Sequence, residues 1–346
     1  MAEYYFNLPT IPALTISQQA ALDESGQISI SGGPGTGKSV VSLWRHIRNF
    51  QSTPKKKSLL LTYTTTLKEY LASTCRTQSI EASNYVGTSL KNSKLIKQTK
   101  FDEIIVDEAQ DLGTDFYIDI KSKVSYGADD AQILYPEHSS TLQELKSIFP
   151  NNVDYVLSKN FRSTKAIMQF AKTLFVKAVV PSEVISDLAI RNPGEKPILM
   201  ISNGNIYDRT NDKQNSAIIE IIKEYSSDTE NVAILVPWKS DVQVFESVLS
   251  EYGIEEFSVY YEDKERFPSG CESIQNVHIT TFKSAKGLEF DTVIIPNFHK
   301  YNEILGNFNV EWKDFYVGCT RAKSNLFLIS NYNMPNLDGV VEKIEL

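Results

Sequence analysis

The 346-residue sequence has no apolar run that approaches the roughly 20 residues needed to cross a membrane as a helix. Its first fifteen residues are interrupted by proline and contain no basic segment followed by an apolar one. A signal peptide is therefore not expected. Together these absences predict a cytoplasmic protein without a membrane partner.

Cysteine is also scarce. The three cysteines, Cys75, Cys271 and Cys319, form no Cys-x-x-Cys pair, and none has a histidine nearby in the sequence. This spacing argues against a zinc site and favours three reduced, partly buried thiols. The sequence also lacks internal repeats and low-complexity stretches, which argues against a solenoid or a disordered chain.

Positive charge is in deficit, with a formal net charge of −8. Domains that hold nucleic acid mainly by electrostatic attraction are usually basic, so the composition counts against a protein that coats nucleic acid. A basic groove on an acidic body stays open. Two lysine clusters either contribute to such a groove or form solvated surface: Lys55–Lys57, and Lys91, Lys94, Lys97 and Lys100.

What the sequence does contain is enough apolar material, 41% of the residues, for two α/β domains of ordinary size. Short β-branched runs alternate with helix-like stretches, as is typical of parallel sheets covered on both faces. The strand candidates of the first half are Ile28–Ser31, Ser58–Tyr63, Glu103–Asp107, Lys123–Gly127 and Asp154–Leu157. Those of the second half are Pro197–Ser202, Val232–Pro237, Val277–Thr281, Thr292–Pro296 and Asn325–Ile329.

A glycine-rich run after the first strand fits the phosphate-binding pattern G-x-x-x-x-G-K-[ST]. In such a loop the backbone N–H groups converge on phosphate oxygens, and the following helix adds the positive end of its dipole. We expect Lys38 to reach the β- and γ-phosphates of ATP and Ser39 to bind Mg²⁺. The predicted nucleotide-binding residues here are Gly33, Pro34, Gly35, Thr36, Gly37, Lys38 and Ser39.

Two adjacent acids, Asp107 and Glu108, follow the apolar strand candidate at 103–107. Ligands of open α/β sheets bind at the carboxyl ends of the strands, where these side chains should lie. Downstream of a phosphate-binding loop, Asp107 is the expected Mg²⁺ holder. Glu108 is then the expected group that orients and deprotonates the attacking water.

Further motifs, in their order along nearly the whole chain, resemble the superfamily 1 helicases of the UvrD/Rep/PcrA type. In the first half the matching segments are LTISQ at 14–18, TYT at 62–64, DEAQD at 107–111 and YGADDAQ at 126–132. The resemblance implies that Gln18 recognises adenine and that Gln132 senses the γ-phosphate. It also implies that Thr62 and Tyr63 touch a nucleic-acid strand.

Two segments of the second half imply contacts with the phosphates. The run NFRST at Asn160–Thr164 implies that Phe161 stacks on adenine and that Arg162 contacts the γ-phosphate. The run YVGCTRA at Tyr316–Ala322 implies that Arg321 is a second arginine finger. Such an arginine contributes about 10³–10⁵ in rate, because it meets the charge spread over the transferred phosphoryl group.

The run TFKSAKGLEF at Thr281–Phe290 is the most specific match. By resemblance, Glu289 contacts the ribose and Gly287 belongs to the nucleotide site. Thr281 and Lys283 are implied to contact nucleic acid.

The fold implied by this resemblance is α/β, with two tandem RecA-like P-loop domains that have mostly parallel sheets. The domains are expected at 1–158, carrying both ATPase motifs, and at 159–346, supplying the arginines. The ATP site is expected in the cleft between them, with ATP and Mg²⁺ as cofactors. The family implies 3′–5′ movement on single-stranded DNA, with RNA as the alternative.

The sequence departs from the family pattern at several places. Only about forty residues separate Tyr63 from Asp107, and little beyond the second sheet lies between Thr164 and Thr280, so both accessory subdomains of the family are expected to be absent. In the third motif, Tyr135 is followed by Pro136 rather than by the family's stacking aromatic ring. Ala128 stands where an acid is common in the family.

These departures leave two functions open. The first is a helicase or translocase core that couples ATP hydrolysis to single-strand binding and movement. The second is a regulatory, DNA-stimulated ATPase subunit that controls a partner such as a nuclease and unwinds nothing itself. A small-molecule kinase with the same loop would leave the later motifs without a purpose.

Overall fold

The computed structural model describes residues 4, 8–118, 120, 122–133, 136–178, 180, 182–205, 207–301 and 312–346. The chain divides into two units, Phe6–Phe161 and Arg162–Leu346, with Tyr4 belonging to the second. The division falls inside the NFRST segment at 160–164. Tyr135, named above for its place in the third motif, lies outside the described residues.

The first unit is a parallel sheet with helices between its strands. The strands are β1 Ile28–Ser31, β2 Ser58–Thr62, β3 Val86–Thr88, β4 Glu103–Val106, β5 Val124–Ala128 and β6 Val153–Val156. The helices are α1 Ile16–Asp23, α2 Lys38–Gln51, α3 Thr65–Gln78, α4 Ile80–Ser83, α5 Ser89–Gln98, α6 Asp115–Ile118 and α7 Leu142–Ile148. The strand order is β3-β2-β4-β5-β1-β6, and every pairing between neighbours is parallel. The carboxyl ends of all six strands therefore share one edge.

The second unit repeats this architecture with a larger sheet. Its strands are β7 Ile198–Ile201, β8 Val232–Val236, β9 Ser258–Tyr260, β10 Val277–Thr281, β11 Phe290–Ile295, β12 Ala322–Ser330 and β13 Glu342–Glu345. Its described helices are α8 Lys165–Leu174, α9 Ser182–Arg191, α10 Asp212–Tyr225, α11 Lys239–Glu251 and α12 Trp312–Cys319. The order is β13-β7-β12-β11-β8-β10-β9, again parallel throughout. Two α/β units with parallel sheets confirm the predicted fold class.

The apolar composition of the central strands explains both sheets. Strands β4 and β8 are buried along their whole length and, apart from Glu103 and Ala233, consist of β-branched and leucine residues, as expected for strands covered on both faces. All ten strand candidates correspond to strands. The three strands that the sequence did not reveal are short or polar: β3 contains a central glycine, β9 has three residues, and β13 reads EKIE at a sheet edge.

The segments where the family carries accessory subdomains contain only core elements among the described residues. Between β2 and β4 lie α3, α4, β3 and α5, and β3 pairs with β2. Between α8 and β10 the strands β7, β8 and β9 all belong to the second sheet. None of the helices in the described part of the chain is both long and apolar enough to span a membrane.

A buried polar cluster fixes α2, the helix after the phosphate-binding loop, on the first sheet. Arg45 Nε lies 2.8 Å from Glu103 Oε1, and Asn49 Nδ2 donates to Glu103 Oε2 at 2.8 Å. Ser125 Oγ on β5 donates to the same carboxylate at 2.5 Å. A buried charge is costly unless it is paired and hydrogen-bonded, so the Glu103 carboxylate keeps these three donors together. This fixes the position of α2 on β4 and β5.

A buried histidine on α2 predicts a loss of stability in acid. His46 Nδ1 lies 2.9 Å from Ser58 Oγ and its Nε2 lies 2.9 Å from the Ala82 carbonyl oxygen. Burial lowers its pKa from 6.5 to about 4. The unfolded chain therefore binds a proton below pH 6.5 that the folded chain binds only near pH 4, so stability falls as pH drops through this window. At 1.36 kcal/mol per pKa unit, the loss is about 3 kcal/mol by pH 4.

Urea unfolding of the wild type and of His46→Gln at several pH values between 7 and 4 tests this prediction. Gln cannot titrate, so its unfolding free energy should fall less steeply with acidification than that of the wild type, whatever its stability at pH 7. Carboxylates that titrate in the same range cancel in the comparison. Equal slopes for the two proteins would show that His46 is not the cause.

Candidate functional site

The loop at Gly32–Gly37 joins the end of β1 to the first turn of α2. Gly35 and Gly37 have φ angles of 71° and 87°, a left-handed conformation that favours glycine. A side chain at Gly37 would collide with the Gln18 amide, and one at Gly32 would collide with the Leu157 carbonyl oxygen. Gly33, in contrast, faces open space. The loop is therefore packed against Gln18 and Leu157 and is open at Gly33.

Lys38, the first residue of α2, is buried and folds back over this loop. Its Nζ donates to the carbonyl oxygens of Gly32 at 2.7 Å and Gly33 at 3.0 Å. The Thr36 hydroxyl also donates to the Gly33 carbonyl, at 2.8 Å. The loop thus holds an ammonium group at its open side, beside a helix N-terminus, which is an arrangement suited to an anion.

Gln18 supports the loop from α1. Its Nε2 donates to the Thr36 carbonyl oxygen at 2.9 Å, and its Oε1 accepts from the Thr15 backbone N–H at 2.8 Å in a capping box. A glutamine amide has two N–H donors and two acceptor lone pairs, so this role leaves capacity for an adenine. The adenine contact inferred from resemblance stays a prediction.

Asp107 follows β4 and is buried against the neighbouring strands. Its backbone N–H donates to the Leu61 carbonyl oxygen of β2 at 2.8 Å. A methyl group added to Gly127 of β5 would lie 3.4 Å from Asp107 Oδ1 and 3.5 Å from Lys38 Cβ. The predicted metal holder and the loop lysine therefore flank the same glycine.

The residues present suit Mg²⁺. Ser39, partly exposed in the first turn of α2, offers a hydroxyl, and Asp107 offers a carboxylate. Mg²⁺ takes oxygen ligands and is usually held by one or two carboxylates together with substrate phosphates. In the described residues no group of three or more His, Cys, Asp or Glu side chains could hold a metal alone. The donor set thus fits a metal that arrives with a nucleotide.

Glu108 is held in a strained conformation beside Asp107. Its φ and ψ are 57° and 45°, the left-handed region, which costs a residue other than glycine of the order of 1–3 kcal/mol. Gln110 Nε2 donates to Glu108 Oε2 at 2.5 Å, and Gln110 Oε1 accepts from the Asp129 backbone N–H at 3.1 Å. The buried Gln110 amide therefore ties the predicted base to the end of β5.

Asp129 joins the predicted γ-phosphate sensor to the loop lysine. Its Oδ2 accepts from Gln132 Nε2 at 2.6 Å and lies 3.9 Å from Lys38 Nζ. Ala128 carries no acid, but the adjacent Asp129 places a carboxylate at this point. The motif runs DEAQD and GADDAQ contained Gln110 and Asp129, yet sequence reasoning gave neither a role, because both act by holding other side chains.

Asn160 and Phe161 bind the same loop from the end of the first unit. Asn160 Nδ2 donates to the Pro34 carbonyl oxygen at 2.8 Å, and the Phe161 backbone N–H donates to the Gly35 carbonyl oxygen at 2.8 Å. The Phe161 side chain is 48% exposed. An exposed ring anchored at the loop is compatible with the predicted stacking on adenine. The anchoring role of Asn160 was not foreseen from the sequence.

In the second unit, Arg162 and Glu289 form an ion pair. Arg162 Nε lies 2.9 Å from Glu289 Oε2, and both side chains are partly exposed. Gly287, two residues before Glu289, has a φ of 83° and turns the chain toward β11. The Tyr4 hydroxyl donates to the Glu289 carbonyl oxygen, and burial with the nearby Glu289 charge raises the pKa of Tyr4 well above its usual value. The predicted ribose and γ-phosphate contacts thus lie together and hold each other.

Arg321, the second predicted finger, is fully buried. Its Nε donates to the Val317 carbonyl oxygen at 3.0 Å and its Nη1 to the Leu288 carbonyl oxygen at 3.2 Å. A contact between this side chain and a phosphate requires the guanidinium or the residues covering it to move.

The predicted nucleic-acid contacts differ in exposure. Thr62 and Thr281 are buried, and Thr281 Oγ1 hydrogen-bonds Ser284 Oγ at 3.1 Å. Tyr63 and Lys283, next to them in sequence, are partly exposed. Of these four side chains, Tyr63 and Lys283 are therefore the ones that a strand can reach without rearrangement.

Comparisons with known families give two matches that together span much of the chain. Residues 261–333 match the model of the UvrD-like helicase C-terminal domain. Residues 26–190 match the model of the Schlafen group 3, DNA/RNA helicase domain.

Individual relatives are similar over different lengths. A protein of Acanthamoeba polyphaga mimivirus that carries the name of an ATP-dependent DNA helicase is 26% identical over 286 residues, or 73% of this chain and 37% of that protein. The RecBCD enzyme subunit RecB of Chlamydia pneumoniae is 34% identical over 77 residues, or 22% of this chain and 7% of RecB. The chain thus spans well under half the length of these relatives. A solved structure of the C-terminal domain of a possible DNA helicase from Lactobacillus plantarum aligns with a TM-score of 0.38 at 20% identity, over 53% of this chain and 98% of that one.

Proposed function

We propose that this chain, which is of the UvrD/RecB type of superfamily 1 helicases, is an ATPase. On this proposal it couples ATP hydrolysis to binding and movement along a nucleic-acid strand. The observation that carries the proposal is the cluster at the carboxyl ends of β4 and β5. There Lys38, Asp107, Glu108 and Gln132 lie around one open phosphate-binding loop, linked through Gln110 and Asp129.

Each of these side chains has a distinct task in the proposed reaction. Lys38 leaves the loop carbonyls and donates to the phosphate oxygens, while the N-terminus of α2 adds its dipole. Glu108 orients the attacking water and takes its proton. Gln132, held by Asp129, contacts the terminal phosphate. Ser39 and Asp107 would hold Mg²⁺, which would supply positive charge against the phosphates.

We propose that Arg162 and Arg321 serve as arginine fingers, as the resemblance implies. Arg162 is already ordered by Glu289 and needs only to exchange a carboxylate for a phosphate oxygen. The Glu289 carboxylate and a phosphate are both anions that suit the planar guanidinium of Arg162, so the exchange replaces one charged hydrogen bond by another. Arg321 has the larger rearrangement to make. On this proposal ATP also contacts Phe161, Gly287 and Glu289.

The direction of movement, 3′–5′ on single-stranded DNA, is proposed from the family resemblance, with RNA as the alternative strand. The second candidate function, a regulatory ATPase subunit acting with a partner such as a nuclease, draws support from two observations. One relative is by name a subunit of a larger enzyme. The described residues add no accessory subdomain to the two sheets. Strand displacement by the isolated chain separates the two functions.

Steady-state ATP hydrolysis by the purified chain, with and without single-stranded DNA and RNA, tests the proposal. We expect at least about tenfold stimulation by one polymer, because closing a motor ATPase site on its track supplies a finger that is worth 10³–10⁵ in rate. Strong stimulation of ATP hydrolysis by DNA or by RNA would identify that polymer as the strand on which the protein acts. Full activity that neither polymer changes would contradict the coupling of hydrolysis to a strand, and with it the motor.

A further inference from the structure

Helix α5 presents a row of lysines that the proposed ATPase does not use. Lys91, Lys94 and Lys97 are exposed on the helix, and Lys100 follows it. No Asp or Glu occurs between residues 84 and 101, so this segment carries a charge of +4 in a chain whose net charge is −8. A local excess of positive charge in this acidic protein thus lies on α5 and directly after it.

The lysines share their surface with two exposed leucines. A spacing of three residues places successive lysines about one turn apart. At about 100° per residue, Lys91 and Lys94 lie on the side of α5 opposite the buried Ile96, and Lys97 lies at the flank of that side. Leu90 and Leu95 are 67% and 39% exposed. The outer face of α5 is therefore both cationic and partly apolar, whereas the face on the sheet is held by little more than Ile96 and Ser89.

Successive lysines of this row are about 4.5 Å apart along the axis of α5. A row of negative charges would complement it. A phosphate backbone is such a row, and lysine contacts with it release counterions.

The position of α5 joins this face to the predicted strand contact. Thr88, the last residue of β3, pairs with Thr62 of β2. Because the two strands are parallel, Ser89 at the start of α5 and Tyr63 leave the sheet at the same edge. A nucleic-acid strand that touches the partly exposed Tyr63 has the lysine face of α5 as its continuation.

We infer that the lysine face of α5, formed by Lys91, Lys94 and Lys97, binds the phosphate backbone of the nucleic acid on which the ATPase acts. The inference rests on the proposed function only in taking nucleic acid as the partner. The lysines fix the backbone without reading sequence, and Leu90 and Leu95 contact the sugars or bases beside it.

The test is the salt dependence of binding to a fluorescent oligo-dT strand by the full chain and by Lys91→Gln/Lys94→Gln/Lys97→Gln. The logarithm of affinity falls with the logarithm of salt concentration by about 0.7 per phosphate contact on a single strand. We expect the triple variant to lower this slope by about 2 and to weaken binding more at low salt than at high salt. The Lys→Arg triple variant should keep the wild-type slope.

A matched control replaces three exposed lysines of the second unit, Lys196, Lys223 and Lys264, by Gln. This variant has the same net charge as the α5 variant, and its slope should stay that of the wild type. Equal losses in both variants, or no loss in the α5 variant, would overturn the inference while strand-stimulated ATPase activity of the wild type still supports the proposed function. A wild type that binds no nucleic acid would overturn both. ATP hydrolysis without nucleic acid, which should be the same in all variants, reports that they fold.

Discussion

Lys38→Ala should reduce ATP turnover by about 10³-fold, the upper range for removing one preorganised donor from a developing negative charge. In the structure the Lys38 ammonium is buried at the loop opening and donates to the Gly32 and Gly33 carbonyl oxygens. These acceptors hold it beside the helix N-terminus before any phosphate arrives. A phosphate oxygen that replaces a carbonyl converts a neutral acceptor to a charged one, and such bonds are roughly twice as strong.

Lys38→Met is the better matched variant, because Met keeps most of the aliphatic stem that packs under the loop. We expect Met and Ala to lose turnover equally, since both lack the charge. Measurement by steady-state phosphate release should use saturating ATP, with thermal unfolding to show that the loop still folds. Turnover within tenfold of the wild type in both variants would mean that ATP hydrolysis takes place without this loop.

The two sheets could be predicted from the sequence because their central strands are continuous apolar runs. Strands such as β4 and β8 have no other stable location than the interior of a sheet covered on both faces. The polar edge strand β13 could not be predicted in this way. Its EKIE alternation is what a solvated loop also shows, and only the parallel pairing with β7 makes it a strand.

The loop and the acids of the site could be located because their chemistry is local in sequence. The contacts that position them are not local. Gln110 connects Glu108 to Asp129, and Asn160 reaches back to Pro34. A motif identifies such residues as part of a pattern, but their roles appear only once the fold has brought the partners together. Arg321 shows the reverse: its motif predicts a phosphate contact, whereas its guanidinium lies buried on backbone carbonyls.

Glu108→Gln should retain ATP binding and lose about 10²–10⁴ in hydrolysis rate, the usual contribution of a positioned general base. Gln has the shape of Glu and can still accept the hydrogen bond from Gln110 Nε2 through its amide oxygen. The left-handed backbone at 108 and the contact to β5 through Asp129 should therefore persist. The Gln amide cannot take a proton from water. Glu108→Gln therefore removes the proton transfer from the attacking water and leaves the other contacts in place.

Two measurements separate binding from chemistry in this variant. Fluorescent nucleotide binding should stay within a few-fold of the wild type, while single-turnover hydrolysis falls. Glu137→Gln, which removes an exposed acid from the same unit, serves as the control and should keep the normal rate. A normal rate in Glu108→Gln would show that another group activates the water, and the strained backbone at Glu108 would then need a different explanation. A loss of both binding and hydrolysis would point to a collapsed loop, and Gln110→Ala should then reproduce it, because Gln110 is the residue that links Glu108 to the end of β5.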